Sequence, residues 1–240
     1  MIESQHLTFP DRIGNRRGVL RGALTGTLAG LAILAPTRSG KRAALAQEAT
    51  PVAVGGAQGD AANPYFGDEI DVLNFALTLE HLDSTLYREG LEQFAAQDFV
   101  DVGYDASVRD YLEQIVANEE TQVAFLTETI SSLGGEPVGP AEYQFPYATL
   151  GEWLVLSQQV EDVGLDAYTG AARYLIGNDD LLTAALTIHA VEARQLSYWR
   201  LLNGVVPFPD AVEAPLTPPE VVALASPFVV GGIPEPTAGA

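Results

Sequence analysis

Four long segments of this chain carry apolar residues at helical spacing, and each apolar stripe is interrupted by one glutamate near its middle. The four glutamates are Glu80, Glu119, Glu161 and Glu192. The four segments span roughly residues 68–95, 106–133, 150–176 and 179–203. No segment alternates with period two over a useful length, so we expect an all-α chain built on four helices.

The connections between these segments predict how the helices are joined. A tight Gly177-Asn178 turn links the third helix to the fourth, and a short link also joins the first to the second. Residues 134–149 contain three prolines and cannot be helical. One long crossover between the second and third helices is the connectivity of the ferritin-like four-helix bundle.

The remaining segments complete the predicted domain organisation. Residues 1–46 are expected to be a signal segment, 47–66 a flexible lead-in, 67–204 the bundle and 205–240 a proline-rich tail. Thr217-Pro218-Pro219 predicts the start of one short C-terminal helix, because proline is favoured in the first turn of a helix. We expect that helix to end near Pro227.

The chain contains no cysteine and has a formal net charge of −20. Disulfide scaffolds, zinc ribbons and thiolate nucleophiles are therefore excluded. Seven of the 12 basic residues lie before residue 47, which leaves five arginines against 30 acidic residues and a net charge near −25. Such a surface repels nucleic acid and anionic membranes. It suits either a protein kept soluble at high salt or an ordinary acidic secreted protein.

The first 46 residues have the features of an export signal. Arg16 and Arg17 precede a weakly apolar stretch, and Ala44-Leu45-Ala46 has the small-x-small pattern of a cleavage site. The arginine pair makes this segment resemble a twin-arginine leader. The apolar stretch is too short and glycine-rich to cross a bilayer comfortably, although an uncleaved anchor is the alternative. We predict a periplasmic or extracellular protein with no stable membrane span in its mature chain.

Glutamates at the middle of four antiparallel helices can meet at one depth in the core. Buried carboxylates are costly unless a cation, added protons or dense hydrogen bonding offsets them. The arginines give no obvious help, because Arg194 lies about 200 degrees around the helix from Glu192. A bound metal pair is one solution, since carboxylate oxygen suits iron and manganese. The alternative is that individual glutamates lie at the bundle edge with their heads in water.

Four motifs along the chain follow the order of the four predicted helices. They are DVLNFALTLEHL at 71–82, EETQVAFL at 119–126, EDVGLDAY at 161–168 and VEARQ at 191–195. These motifs resemble the four helices of the exported ferritin-like domain proteins, a family that includes plant desiccation-related proteins. The resemblance covers about residues 66 to 204. It implies a ferritin-like fold with a metal site between the helices.

The chain departs from the ligand pattern that this resemblance implies. A di-iron bundle uses one lone glutamate from each of two helices and a Glu-x-x-His pair from each of the other two. Two of the glutamates match the lone positions, but Glu119 and Glu192 are followed three residues later by Gln122 and Gln195. An amide oxygen is a weak, neutral ligand. Oxidase-type chemistry therefore cannot be carried over from the resemblance.

Two histidines and two tyrosines lie close to the glutamates in sequence. His189 precedes Glu192 by three residues on the same face and could supply a nitrogen ligand, or it could be a core histidine without metal. His81 points about a quarter turn away from its neighbouring glutamate and is expected at the bundle edge. Tyr87 and Tyr168 could hydrogen-bond the cluster, or they could pack as ordinary aromatic residues.

Two functions remain open from the sequence. The first is an exported protein with an altered di-metal site that holds iron or manganese and has a stress- or oxidant-related role. The second is a metal-free structural or binding module of the cell envelope that keeps a relic of the site. The candidate metal ligands are Glu80, Glu119, Glu161, Glu192, Gln122, Gln195 and His189. The sequence does not decide whether the protein is an enzyme, and we expect a monomer or a dimer.

Overall fold

The computed structural model describes residues 64–234 and residue 236. The predicted signal segment, and all but the last three residues of the predicted lead-in, therefore lie outside the described residues. Six α-helices and no β-strand form within the described part. The helices are α1 Glu69–Gln93, α2 Ala96–Asp101, α3 Ser107–Ser132, α4 Leu150–Ala171, α5 Asp179–Leu202 and α6 Pro218–Ala225.

Local hydrogen bonds fix where the long helices begin. The Asp68 side chain accepts a hydrogen bond from the backbone N–H of Asp71, and Asn178 caps α5 in the same way. Thr149 and Glu152 form a reciprocal capping box at the start of α4. At the end of α3, Gly134 adopts a φ of 83°, a conformation that glycine tolerates without strain.

Helices α1, α3, α4 and α5 form the four-helix bundle that the periodicity predicted. Helix α1 packs against α3 and α4, and α4 packs against α5. Trp153 and Trp199 are fully buried at the centre of the core, with their ring centroids 5.6 Å apart. Burial of each such large apolar side chain contributes roughly 2 to 3 kcal/mol to stability. No helix in the described part is long and apolar enough to cross a membrane.

The crossover between α3 and α4 has no regular secondary structure, yet side chains of α1 hold it in place. Asn74 accepts a hydrogen bond from the Val138 N–H at 2.8 Å and donates one to the Glu136 carbonyl at 3.2 Å. The His81 Nε2 atom lies 3.1 Å from the Val138 carbonyl oxygen. His81 therefore lies at the bundle edge, as expected from its position on the helix.

The C-terminal segment packs across the bundle and contains the predicted short helix, α6. Helix α6 lies against α4, and the Leu216 N–H bonds the Asp166 carbonyl at 3.0 Å. Beyond α6, the Val230 N–H bonds the Glu142 carbonyl of the crossover at 2.8 Å. The crossover and the C-terminal segment thus cover the side of the bundle formed by α1 and α4.

Candidate metal centre

The structure brings the four predicted glutamates together inside the bundle. Each comes from a different long helix, and none is more than 1% exposed. Carboxylate oxygens of Glu80, Glu119 and Glu192 all lie within 4.8 Å of one another. Glu161 is not one of this group of three but lies near it, and its pKa is raised by burial first and then by the charges of Glu192 and Glu80. The edge position considered for individual glutamates is therefore not observed.

Two buried tyrosines donate hydrogen bonds to the cluster. The Tyr87 hydroxyl on α1 donates to Glu161 Oε2 on α4. The Tyr168 hydroxyl on α4 donates to Glu80 Oε1 on α1. Each tyrosine lies seven residues beyond a glutamate on its own helix and bonds the glutamate of the other helix. Both tyrosines are thus cluster donors rather than packing residues alone.

The two glutamines face the cluster from α3 and α5. The Gln122 Nε2 donates to Glu192 Oε1 at 2.7 Å. The Gln195 Nε2 donates to Glu119 Oε1, and it lies 3.3 Å from Glu192 Oε1. Both glutamines are nearly buried, at 7% and 5% exposed. They therefore occupy the positions expected for histidine, but in this structure they bind the carboxylates with their amide nitrogens.

The residues that form these four helices match a known protein family. Residues 68–205 match the family described as "Ferritin-like domain". The chain belongs to the ferritin-like domain family. It is also similar to the Schizosaccharomyces pombe (strain 972 / ATCC 24843) protein named "Protein rds1", with 26% identity over 171 residues. The aligned part covers 70% of this chain and 41% of that protein, so this ferritin-like chain matches less than half of its relative.

The ring of His189 contacts Thr169, and His189 is not part of the Glu80, Glu119 and Glu192 group, an arrangement that fits the core-histidine alternative. Its Nε2 atom lies 3.0 Å from the Thr169 hydroxyl oxygen, and its side chain is half-buried. It precedes Glu192 by three residues and therefore lies about 4.5 Å earlier along the helix axis. At that depth its ring meets α4 instead of the cluster. The donor atoms that the structure gathers here are consequently oxygens and amide nitrogens.

A groove between α3 and α5 leads from the surface to the glutamines. Its volume is about 570 Å³, and its lining includes Gln122, Gln195 and Arg194. Among the residues that line it, Gln114 donates a hydrogen bond to Asn118 Oδ1 at 3.1 Å, and Asn118 donates one to the side-chain Oε1 of Gln195 at 3.1 Å. This chain of amides orients the Gln195 N–H group toward the carboxylates. Solvent thus reaches the amide layer, while the glutamates behind it stay buried.

Asp83 is a fifth buried acid that the sequence interpretation did not include. It lies three residues after Glu80 on the same helix face and is 2% exposed. Burial, followed by the charges of Glu161 and Glu80, raises the pKa of Asp83 well above its usual value, and the Asp83 charge adds to the raised pKa values of Glu192 and Glu119. Its spacing from Glu80 is the signal in the sequence that could have revealed it.

Burial dominates the electrostatics of all five acids. Desolvation raises the pKa of Glu80 from 4.5 to about 7, against the opposing effect of the Tyr168 hydrogen bond. Desolvation followed by repulsion from neighbouring carboxylates raises the pKa of Glu119 well above its usual value. Desolvation also raises the pKa of Glu192, which the hydrogen bonds from both glutamines partly offset. Without a cation, the cluster therefore retains protons near neutral pH.

No arginine of the described part forms an ion pair with the cluster. Arg200 pairs with Asp162, Arg109 with Glu113 at 3.1 Å, and Arg88 approaches Glu120 at 4.0 Å. Four cluster oxygens are buried and accept no hydrogen bond in the structure. They are Glu80 Oε2, Asp83 Oδ1, Glu119 Oε2 and Glu161 Oε1.

The unbonded carboxylate oxygens bear on whether this ferritin-like site is suited to a metal ion. Buried carboxylate oxygens without donors are unfavourable in a protein interior, and a cation would satisfy them. No imidazole nitrogen stands among them, so the donor set is that of an oxygen-preferring ion such as manganese. The residues present therefore fit a metal of this class, and they fit a histidine-dependent iron centre less well.

Proposed function

We propose that this chain is an exported ferritin-like protein that holds metal ions in an altered, carboxylate-rich site. The observation that carries the proposal is a set of buried carboxylate oxygens that accept no hydrogen bond of ordinary geometry and have no arginine partner among the described residues. Their mutual repulsion is relieved most directly by a multivalent cation, since a cation also satisfies their lone pairs. Manganese or iron would be held by the glutamates, with manganese favoured by the donor set.

The protein's own residues prepare the site for such an ion. Tyr87 and Tyr168 each fix one carboxylate oxygen of a glutamate, which leaves the second oxygen of that group unbonded. Gln122 and Gln195 orient the glutamates of α3 and α5 in the same manner. Partners of this kind raise the affinity of a metal site by holding its ligands in place. A bound manganese or iron ion would supply redox chemistry.

We propose that the protein has a stress- or oxidant-related role. The chain contains no cysteine, and its single methionine is Met1, so no sulfur-containing side chain follows the first residue. Sulfur side chains are the first targets of many oxidants. A sulfur-free exported protein with a buried metal suits an oxidising environment. Growth of a deletion strain under peroxide or drying, compared with its complemented strain, tests this role.

Export is the part of the proposal that depends on the leader. Arg16, Arg17 and the following apolar stretch support a twin-arginine route. Replacing the pair, as Arg16→Lys with Arg17→Lys, should leave the precursor inside the cell, whereas Arg12→Lys should not. Cell fractionation followed by immunoblotting gives the result. Export of the double variant at the unaltered level would contradict the twin-arginine assignment.

A metal-free envelope module is the second candidate function, and the hydrogen-bond network favours it. Two tyrosines and two glutamines each donate to a glutamate, and the remaining charge can be removed by protonation because burial raises the carboxylate pKa values. A network of this kind could hold the bundle together as a relic of the metal site. Its structural role would then need no ion.

Elemental analysis of protein exported in its native host separates the two candidates. About two metal ions per chain would support the first function. Protein that contains no metal, and whose thermal stability does not increase when metal is added, would support the second function. A double variant, Gln122→His with Gln195→His, should gain iron binding because it restores an imidazole at each paired position. A double variant that binds no iron would contradict the proposed geometry.

A further inference from the structure

The groove between α3 and α5 has the dimensions of a site for a small organic molecule. Its volume of about 570 Å³ lies within the range of roughly 300 to 1,000 Å³ that such sites occupy. Its lining combines apolar surface, from residues such as Ile115 and Val191, with several amide side chains. A mainly apolar cleft with a few polar groups is the usual character of a ligand site. The groove is therefore a candidate binding site that is separate from the buried carboxylates.

Arg194 gives this groove a local positive charge in a strongly acidic protein. No aspartate or glutamate of the described part lines the groove, although the chain has 32 acidic residues against 12 basic ones. The other four arginines of the described part each contact an acid or an aromatic ring; they are Arg88, Arg109, Arg173 and Arg200. Arg194 makes neither contact with a described residue, and its side chain is exposed. Such a guanidinium is suited to a carboxylate, which it can bind through two parallel N–H donors.

A pair of tyrosine rings lines one end of the groove. Tyr111 on α3 and Tyr198 on α5 approach edge to face, with their ring centroids 6.0 Å apart. Tyr111 is 57% exposed, so much of its ring is open to an occupant. A flat apolar group packs well against such rings. Tyr198 lies four residues, about 6 Å, beyond Arg194 on the same face of α5, so the rings are about one helical turn from the guanidinium.

Gln122 places an unsatisfied acceptor on the other side of Arg194. Its Nε2 donates to Glu192, which precedes Arg194 by two residues on α5. Its Oε1 is buried and accepts no hydrogen bond, while the side chain is 7% exposed and lines the groove. A donor on an occupant would satisfy this oxygen, and a positively charged donor would also be attracted by the acids behind it. An acceptor, a guanidinium and two rings thus follow one another along the groove.

We propose that the groove binds a free aromatic α-amino acid such as phenylalanine. The carboxylate of the ligand pairs with Arg194, and its ammonium group donates to Gln122 Oε1. Its ring packs against Tyr111 and Tyr198. Because this zwitterion carries no net charge, the acidic surface does not repel it as it would repel an organic anion. The occupant covers the glutamines without contacting the glutamates, and its binding requires no metal ion.

Calorimetric titration of the full chain with L-phenylalanine and three analogues tests the inference. L-phenylalaninamide lacks the carboxylate, 3-phenylpropionate lacks the ammonium group, and L-alanine lacks the ring. Phenylalanine should bind best, and each analogue should bind about tenfold more weakly or worse, because each loses one contact. No binding of phenylalanine, or equal binding of phenylalaninamide, would overturn the proposal. Equal binding of 3-phenylpropionate would overturn the assignment of the ligand as an amino acid.

Two variants test the same contacts from the side of the protein. Arg194→Gln should lose the preference for phenylalanine over phenylalaninamide, and Tyr111→Ala should bind phenylalanine about tenfold more weakly. Both side chains are exposed, so both variants should fold, which circular dichroism checks. Arg173→Gln is the matched control, because it removes the same charge from an exposed side chain that does not line the groove. The control should bind phenylalanine as the unaltered chain does.

Unchanged binding of phenylalanine by Arg194→Gln would overturn the proposal. A second copy of the chain is the other occupant that the measurements detect. A dimer that forms with increasing protein concentration and is lost in Tyr111→Ala would show that two copies meet at the groove, and it would also overturn the proposal. Each of these results leaves the proposed metal-binding function intact, because the titrations are independent of the carboxylate cluster.

Discussion

The Tyr87 hydroxyl on α1 donates a hydrogen bond to Glu161 on α4, 74 residues later in the chain. In the opposite direction, the Tyr168 hydroxyl on α4 donates a hydrogen bond to Glu80 on α1. Each glutamate is thereby held by a ring that is itself packed into the core, with Tyr87 4.9 Å from Trp199 between ring centroids. The carboxylates are therefore held in position by the fold itself, which is the preorganisation that the proposed metal site requires.

Removal of one tyrosine hydroxyl should destabilise the metal-free protein. Tyr87→Phe leaves the buried Glu161 carboxyl without its donor, and we expect a loss of about 1 to 3 kcal/mol in the free energy of unfolding. Urea unfolding at pH 7 measures it. Tyr104→Phe is the control, because its hydroxyl bonds the neutral Leu202 carbonyl at 2.8 Å, and it should lose about 1 kcal/mol. Added Mn²⁺ should reduce the loss in the Tyr87 variant and not in the control.

The metal-free protein should lose stability as pH rises. In the unfolded chain the glutamates ionise near 4.5, whereas burial raises the pKa of Glu80 in the folded protein to about 7. Between these values the folded state binds more protons, so stability is full below pH 4.5 and falls as pH rises toward 7. Each excess proton contributes a slope of about 1.4 kcal/mol per pH unit.

Urea unfolding from pH 4.5 to 8 checks this slope, at high salt so that surface repulsion is screened. Glu80→Gln should show a flatter profile, because the group responsible for part of the slope is gone. Saturating Mn²⁺ should also flatten the profile, since metal binding is favoured by deprotonation of its ligands. A metal-free protein that gains stability between pH 4.5 and 7 would show that the cluster is not protonated as described.

Gly90 is required by the packing of Trp153. A Cβ atom at Gly90 would lie 1.9 Å from Trp153 Cε2, and Trp153 is fully buried. Gly90→Ala should therefore cost about 1 to 3 kcal/mol in unfolding free energy, although alanine favours helix by up to about 1 kcal/mol. Gly151→Ala on α4 meets nothing within 4 Å and should be neutral or stabilising. Equal stabilities of the two variants would contradict the packing described.

The fold and the glutamates were predictable because both follow from periodicity. Apolar spacing predicted the four long helices, and prolines in residues 134–149 predicted the crossover. The short helix α2 was missed, because its six residues are too few for a helical period to be recognised. The placement of Glu80 on a buried stripe was likewise predictable, since one side of each helix must face the core.

The hydrogen-bond partners within the site were less predictable. An apolar stripe shows which face of a helix is buried, but it does not show which residue of another helix that face meets. The sequence left Tyr87 and Tyr168 open between donors and packing residues. His189 shares a face with Glu192 but lies one turn away from the cluster, next to Thr169. Asp83 could have been recognised from its spacing to Glu80, but the space left for its carboxylate at Gly164 comes from another helix and could not be predicted from helical periodicity.

Anomalous X-ray diffraction from crystals equilibrated with Mn²⁺ would locate a bound ion directly. The account predicts an anomalous peak within coordinating distance, about 2.0 to 2.6 Å, of oxygens from Glu80, Glu119 and Glu192. Crystals grown at the same Mn²⁺ concentration without a peak among these carboxylates, or with the ions bound only to acids on the surface, would contradict it.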